Sequence, residues 1–286
     1  MKALYDVPAP AKLNLFLHVT GRRADGMHLL QSAFMLIDWC DTLHFELRAA
    51  GSLTREDLGM QLPADDLVLR AARALQVATG TDAGAHIAID KRVPAQAGMG
   101  GGSSDAATTL LALNRLWGLD LPLSRLMQLG VALGADVPFF LCGHNAWAEG
   151  IGEKLVPLAV PPGRFAVVKA PEGLDTATIF GDPLLNRSTE PATITGFAAD
   201  PFAFGLNDLQ PVAQRHCPGV GQALQWLASQ GLRGRMTGSG SAVFAPMLPG
   251  SRLASVPEAW VARECSNMEA HPLAGWASSD NSSVGG

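Results

Sequence analysis

Cysteine is scarce in this chain: Cys40, Cys142, Cys217 and Cys265 stand far apart among 286 residues, with no C-x-x-C pair. That spacing weighs against a zinc site or a disulfide framework and predicts reduced thiols in a cytoplasmic protein. Basic clusters are missing too. Lys and Arg number 21 against 26 Asp and Glu, a net charge of -5 with no basic block, so nucleic acid is not expected as a partner. No apolar run approaches the roughly 20 residues of a membrane span, and the N-terminus lacks a basic-then-apolar leader pattern. A soluble protein with no membrane partner is therefore expected. There is no internal repeat. No Gly-Lys-Ser/Thr closes a Walker A loop, and the glycines do not fit G-x-G-x-x-G, which disfavours a Rossmann dehydrogenase.

What the chain does have is a glycine-rich stretch, Pro94 to Asp105, followed by Ala106 to Trp117, which holds no glycine or proline and repeats apolar residues at helical spacing. A strand-like segment, His86 to Val93, precedes it. A loop that feeds a helix places backbone N–H groups and the positive end of the helix dipole together, which suits a phosphate. Gly98, Gly100, Gly101 and Gly102 allow close backbone approach to a ligand. Either Ser103 or Ser104 suits the helix cap, leaving the other hydroxyl for a phosphate oxygen. The helix is expected to bury one face through Ala106, Leu110, Leu113 and Trp117, with Gly118 as its stop.

Other segments are less decided on pattern alone. Ala11 to Val19 alternates as a half-buried strand, with Lys12 and Asn14 on its polar side; a lone strand lysine is ordinarily a solvated group. His28 follows a turn at Asp25-Gly26, where turn residue is the plainer role. Ala33 to Leu47 suggests two strands, 49–64 a loop, and Asp66 to Thr79 a helix stopped by Gly80. A helix over Ser124 to Leu133 is followed by Asp136 at the head of Val-Pro-Phe-Phe-Leu, which fits a helix cap and a rigidly held general base equally. Asp105, in the first turn after the glycine loop, suits a dipole partner or a metal contact. Phe165 to Ala170 and Ala242 to Ala245 read as strands, Asn207 to Cys217 and Val220 to Gln230 as helices, and Leu184 to Phe204 as mostly irregular or short helices. The small-residue run Thr237 to Ser241 suits a tight turn or a second ligand loop. The Val-Pro-Pro-Gly break near residue 160 suggests two units, 1–158 and 159–277, with a disordered tail over 278–286.

Taken together, Pro-x3-Gly-Met-Gly-Gly-Gly-Ser-Ser-Asp-Ala-Ala, the opening Ala9-Pro-Ala-Lys-Leu-Asn, Asp25-Gly-Met-His, Gly134-Ala-Asp-Val-Pro-Phe-Phe, Asn207-Asp-Leu and Thr237-Gly-Ser-Gly-Ser resemble the GHMP kinases over residues 8 to 246. The resemblance implies a two-domain fold mixing α/β and α+β elements, with ATP and a small-molecule substrate in the cleft between domains. The opening segment, the Asp25-Gly-Met-His element and Gly134-Ala-Asp-Val-Pro-Phe-Phe together narrow the resemblance to the branch that phosphorylates the 2-hydroxyl of 4-diphosphocytidyl-2-C-methylerythritol, an isoprenoid precursor. By that resemblance Asp136 is the catalytic base and Lys12 its partner. Lys91, Pro94, Ala95, Gln96, Ala97, Gly98, Met99, Gly100, Gly101, Gly102, Ser103, Ser104 and Asp66 would bind the nucleotide, and Asn14, Met27, His28, Thr176 and Phe180 the substrate. Mg²⁺ would be held mainly through the phosphates, with no dedicated protein ligands, and the chain would act as a monomer or weak homodimer. Two positions depart from the family pattern: Met27 stands where an aromatic stacks on the base, implying weaker cytidine binding, and Asp66 where an asparagine lies close to adenine. A mevalonate-type kinase and a silent nucleotide-binding regulator are the rival readings; the second is disfavoured because both Lys12 and Asp136 are kept.

Overall fold

The computed structural model describes residues 1–279. It opens on two long antiparallel strands, β1 (Ala3–Arg22) and β2 (His28–Arg48), joined by a turn in which Gly26 takes φ +89. β2 is one strand where the sequence suggested two. The residues that break its apolar pattern are satisfied where they stand: Asp38 accepts a hydrogen bond from the Ser266 N–H, and Asp41 accepts from the N–H groups of Arg92 and Val93.

Next come β3 (Leu53–Asp57), α1 (Leu67–Thr79) and β4 (Gly84–Asp90), with β3 and β4 parallel. β3 lies inside the expected loop, and its charges are consumed locally, since Arg55 pairs with Asp57 and Asp66, both at 2.7 Å. Asp66 caps α1 through the Leu69 N–H, and Gly80 ends it in the left-handed region at φ +67. Then follow α2 (Gly101–Leu116), α3 (Leu123–Leu133), α4 (Val137–Cys142), β5 (Ala146–Glu149) and β6 (Lys154–Pro157). The first sheet runs β3-β4-β2-β5-β6, with β1 paired to β2.

The second sheet is antiparallel in the order β10-β7-β9-β8. Its strands are β7 (Arg164–Lys169), β8 (Arg235–Met236), β9 (Val243–Pro246) and β10 (Val261–Ser266), with α5 (Thr176–Gly181), α6 (Ile194–Ala199), α7 (Gln210–His216) and α8 (Pro218–Ser229) between β7 and β8 in the chain. Strand alternation explains the layering. On β2, Phe34 and Leu36 join a core with α1, α2 and α4, while Met35 and Ile37 face a second core containing Phe165 and Val167 of β7. On β7, Ala166 and Val168 look the other way, onto Val212 of α7 and Val220 of α8. The order is helices, sheet, sheet, helices.

This layering corrects three expectations. β1 is covered on both sides from Ala9 to Val19, not half-buried; register shifts between Pro10 and Ala11 and between Asn14 and Leu17 let one strand feed several cores. α2 is buried nearly all round, not along one face, because α1, α3, α4, β1 and β2 enclose it. It also begins inside the glycine loop: Gly100, at φ +71, is the N-cap, with no side-chain cap bond, so neither Ser103 nor Ser104 caps it. The chain end returns to the first sheet. The Met268 N–H donates to the Leu36 carbonyl, Leu273 is buried in the helical core, and the Ser278 carbonyl accepts from Leu123. Ser278 is therefore bonded to the fold, whereas residues 280–286 of the expected tail lie outside the described residues.

Candidate active site

A cleft of about 1000 Å³ opens between the glycine loop, the polar edge of β1 and β2, and the loops beside α5 and β8. Every expected site residue except Ser104 lines it. Ser104 is wholly buried in the first turn of α2, and its hydroxyl is closed off from solvent without a hydrogen-bond partner.

The glycine loop is shaped by a second loop behind it. The Ser241 and Ala242 N–H groups donate to the carbonyls of Gln96 and Ala97, and the Thr237 hydroxyl donates to the Gly98 carbonyl at 3.3 Å. Thr237 also accepts from the Asn14 N–H at 2.9 Å, tying both loops to β1. The Asn207 amide donates to the carbonyls of Met236 and Gly238, each at 2.8 Å, which fixes the second loop in turn. The Thr237 to Ser241 run is thus a support for the first loop, with Thr176 bridged to Ser239 at 2.7 Å on the cleft side.

Beneath the loop lies Lys12, 3 % exposed. The Met99 carbonyl accepts its backbone N–H, and its ammonium reaches Asn14 Oδ1 at 2.5 Å, Asp136 Oδ2 at 3.4 Å and the Phe34 ring at 4.7 Å. The Asn14 amide donates onward to Ser32 Oγ at 2.8 Å. Asp136 stands at the N-cap position of α4 yet makes no cap hydrogen bond, and its side chain is 30 % exposed. Its carboxylate therefore faces the cleft and Lys12, free of a capping role. Pro138 in the first turn and the buried Phe139 and Phe140 fix α4 behind it.

Lys91 is held differently from the expectation of a nucleotide contact alone. It lies between two buried carboxylates, Asp41 and Asp105, with Asp105 Oδ2 at 2.6 Å. Asp105 is thus tied to Lys91 and not to the helix cap. Burial opposes the charge of Lys91, but the two carboxylates outweigh it and hold its pKa above the ordinary value. Only one of the two carboxylates is fully compensated: Asp41 also accepts two backbone N–H groups, while Asp105 Oδ1 is buried without a partner. Burial, reinforced by Asp41 and opposed by Lys91, pushes the Asp105 carboxyl up to about 8.

A pH effect on stability follows. The folded chain holds the Asp105 proton up to about pH 8, the unfolded chain only to about the ordinary 3.8. Stability present below pH 4 is therefore lost progressively as pH rises toward 8, because folding takes up a proton across that window. Asp105→Asn, isosteric with the protonated acid, removes this loss. Melting temperatures of the variant should gain on the parent between pH 5 and pH 8.5; parallel curves refute the assignment.

On the opposite wall, His28 and Phe180 have ring centroids 5.0 Å apart and tilted by 33°. His28 Nε2 accepts from Arg187 Nε at 3.0 Å. Its pKa is lowered, first by burial and then by the cationic Arg187 and Arg22, so the ring is held neutral. Met27 is 47 % exposed at the cleft rim. Asp66 lines the other end, its carboxylate already committed to the cap of α1 and to Arg55.

Residues 66–144 match the family model described as GHMP kinases N terminal domain, and residues 195–267 the one described as GHMP kinases C terminal. The chain belongs to the GHMP kinases. It is 65% identical over 285 residues to a 4-diphosphocytidyl-2-C-methyl-D-erythritol kinase of Albidiferax ferrireducens, spanning 100% of this chain and 99% of that protein. A protein of the same name from Variovorax paradoxus is also 65% identical, over 97% of this chain and 100% of its own length. A crystal structure of 4-(cytidine 5'-diphospho)-2C-methyl-D-erythritol kinase superposes with a TM-score of 0.74 at 32% identity, covering 91% of this chain and 98% of that one. L. major mevalonate kinase shares the fold alone, with a TM-score of 0.65 at 16% identity over 94% and 98% of the two chains. As a GHMP kinase the chain uses ATP and acts on a small molecule.

Several groups of this GHMP kinase site were not anticipated. Phe34, Ser32, Asp41 and Arg187 carry no local motif. Asp41 alone left a trace, as a carboxylate inside an apolar strand, where Asp is rare.

Proposed function

We propose that this kinase transfers the γ-phosphoryl group of ATP to the 2-hydroxyl of 4-diphosphocytidyl-2-C-methyl-D-erythritol, a step of the non-mevalonate isoprenoid precursor pathway. The observation that carries the chemistry is the Lys12–Asp136 pair, 3.4 Å apart under the glycine loop. The loop amides and the N-terminus of α2 face the place for a triphosphate, where charge spreads over the moving phosphoryl oxygens. Asp136 takes the proton of the attacking hydroxyl, the new O–P bond forms at the γ-phosphorus, and the bond to ADP breaks. Lys12 orients Asp136 and favours the nascent alkoxide through its positive charge. Asn14 and Phe34 hold that ammonium in place.

Among the described residues no group of three or more His, Cys, Asp or Glu is placed to hold a metal, and Asp105 is engaged by Lys91. Mg²⁺ would be held mainly through the nucleotide phosphates, where it would neutralise their charge. The cytidyl end is assigned to His28, Phe180, Thr176 and Met27, a substrate contact beside the reacting centre to Asn14, next to Lys12, and the adenine end to Asp66 and the start of α1. The chain is proposed to act as a monomer or weak homodimer. We place the division between units near residue 158, the second ending before the returning 268–277 segment. The free thiols and the lack of any helix long and apolar enough to cross a membrane among the described residues fit a cytoplasmic enzyme. An ADP-release assay is expected to give turnover with the cytidyl substrate and none with mevalonate or homoserine. Turnover confined to either of the latter overturns this substrate.

A further inference from the structure

The base-side wall of the cleft has a support that the chemistry above does not use. Arg187, half-buried behind that wall, spends its guanidinium on four acceptors. Nε donates to His28 Nε2 at 3.0 Å, Nη1 to the Leu185 carbonyl at 3.0 Å, and Nη2 to the carbonyls of Phe180 and Asp182 at 2.9 and 2.8 Å. A guanidinium has donors only and does not lose its proton. His28 Nε2 must therefore be the accepting nitrogen, and in a neutral ring the proton then sits on Nδ1. The same residue holds Phe180, whose ring packs on His28, by its backbone carbonyl. One side chain thus sets the tautomer of the histidine and the position of its aromatic neighbour. The other charged group facing the ring is Arg22, also a cation, and both cations oppose protonation.

We propose that Arg187 is a positioning residue that locks His28 as the Nδ1–H tautomer, so that the cleft presents a fixed hydrogen-bond donor to the pyrimidine of the substrate. This rests on the cytidyl reading of that wall. The chemistry makes the donor selective. Ring nitrogen N3 of cytosine is an acceptor, whereas that of uracil carries a hydrogen and needs an acceptor. A histidine free to exchange tautomers satisfies either base; one pinned by a guanidinium satisfies cytosine.

The test begins on the unaltered protein. ¹⁵N spectra of the histidine side chains, with His28 assigned by His28→Gln, should show Nδ1 protonated and Nε2 bare at pH 7; the opposite tautomer, or an imidazolium, overturns the proposal without any arginine variant. Arg187→Met should then release the ring to mixed tautomers and raise KM for the cytidyl substrate about tenfold, the scale of one well-placed hydrogen bond. Both kcat and KM for ATP should stay near the parent values, and the preference for the cytidyl over the uridyl analogue should fall. Arg187→Lys, which keeps one donor toward His28, should recover part of the KM and the tautomer. If the tautomer changes while the cytidyl KM and the base preference do not, Arg187 has no role in specificity and the base lies elsewhere. If the KM rises with the tautomer unchanged, the base subsite stands and the locking role is wrong.

Discussion

Asp136→Asn should lower kcat by about 10² to 10⁴ while leaving KM for ATP and the melting temperature close to the parent, the usual scale for loss of a general base. The structural grounds for the split are specific. Asp136 occupies the N-cap position of α4 without making a cap bond, so the amide does not cost the helix a hydrogen bond. α4 is held instead by Pro138 and by the buried Phe139 and Phe140. Lys12 loses its nearest carboxylate but keeps Asn14 Oδ1 and the Phe34 face, so the buried ammonium is not stranded. The binding surface for the triphosphate is the loop backbone, which the substitution does not touch. What is lost is only the group able to take the hydroxyl proton. Steady-state kinetics with thermal melts check this, and turnover within a few-fold of the parent refutes the base assignment.

How far the sequence alone reached depended on whether the deciding partner was near in the chain. The glycine loop and the stops at Gly80 and Gly118 are local, and each stands close to where the pattern put it. Asp136 was balanced between cap and base because the tie is broken by Lys12 on β1, remote in sequence. Lys12 looked like a solvated strand lysine because nothing local tells that Phe34, Asn14 and the loop bury it. β3 was hidden because Arg55, Glu56 and Asp57 read as a charged loop, until Arg55 is seen to close onto Asp57 and Asp66. Arg187 left no trace at all, since its four acceptors come together only when α5, the segment after it and β2 are folded. In this chain the local backbone devices were legible, and the charged side chains whose roles are set across the fold were not.

The two-loop construction leads to the other large effect, at Gly98. This residue takes φ +70, and a Cβ placed on it would lie 2.2 Å from the Thr237 carbonyl oxygen and 2.9 Å from the Gly240 nitrogen. Both obstacles are backbone, so no side-chain rotation relieves the overlap. Gly98→Ala must therefore push the glycine loop off the Thr237 to Ser241 loop, and a non-glycine residue in the left-handed region adds about 1–2 kcal/mol of its own. The expected result is a lower melting temperature and a loss in kcat/KM for ATP of about 10²-fold, because a displacement near 1 Å in a positioning element carries that penalty. Gly102 supplies the contrast. It lies within the first turn of α2, outside the left-handed region, and a Cβ there would meet Leu67 Cδ1 at 3.6 Å, an ordinary contact. Alanine is also the better helix former by about 1 kcal/mol, so Gly102→Ala should melt at or above the parent temperature. If the two alanine variants melt alike, the second loop is not the support of the first. A separation with Gly98→Ala well below Gly102→Ala, accompanied by weakened ATP use, identifies the contact between the loops as what holds the phosphate cradle in shape.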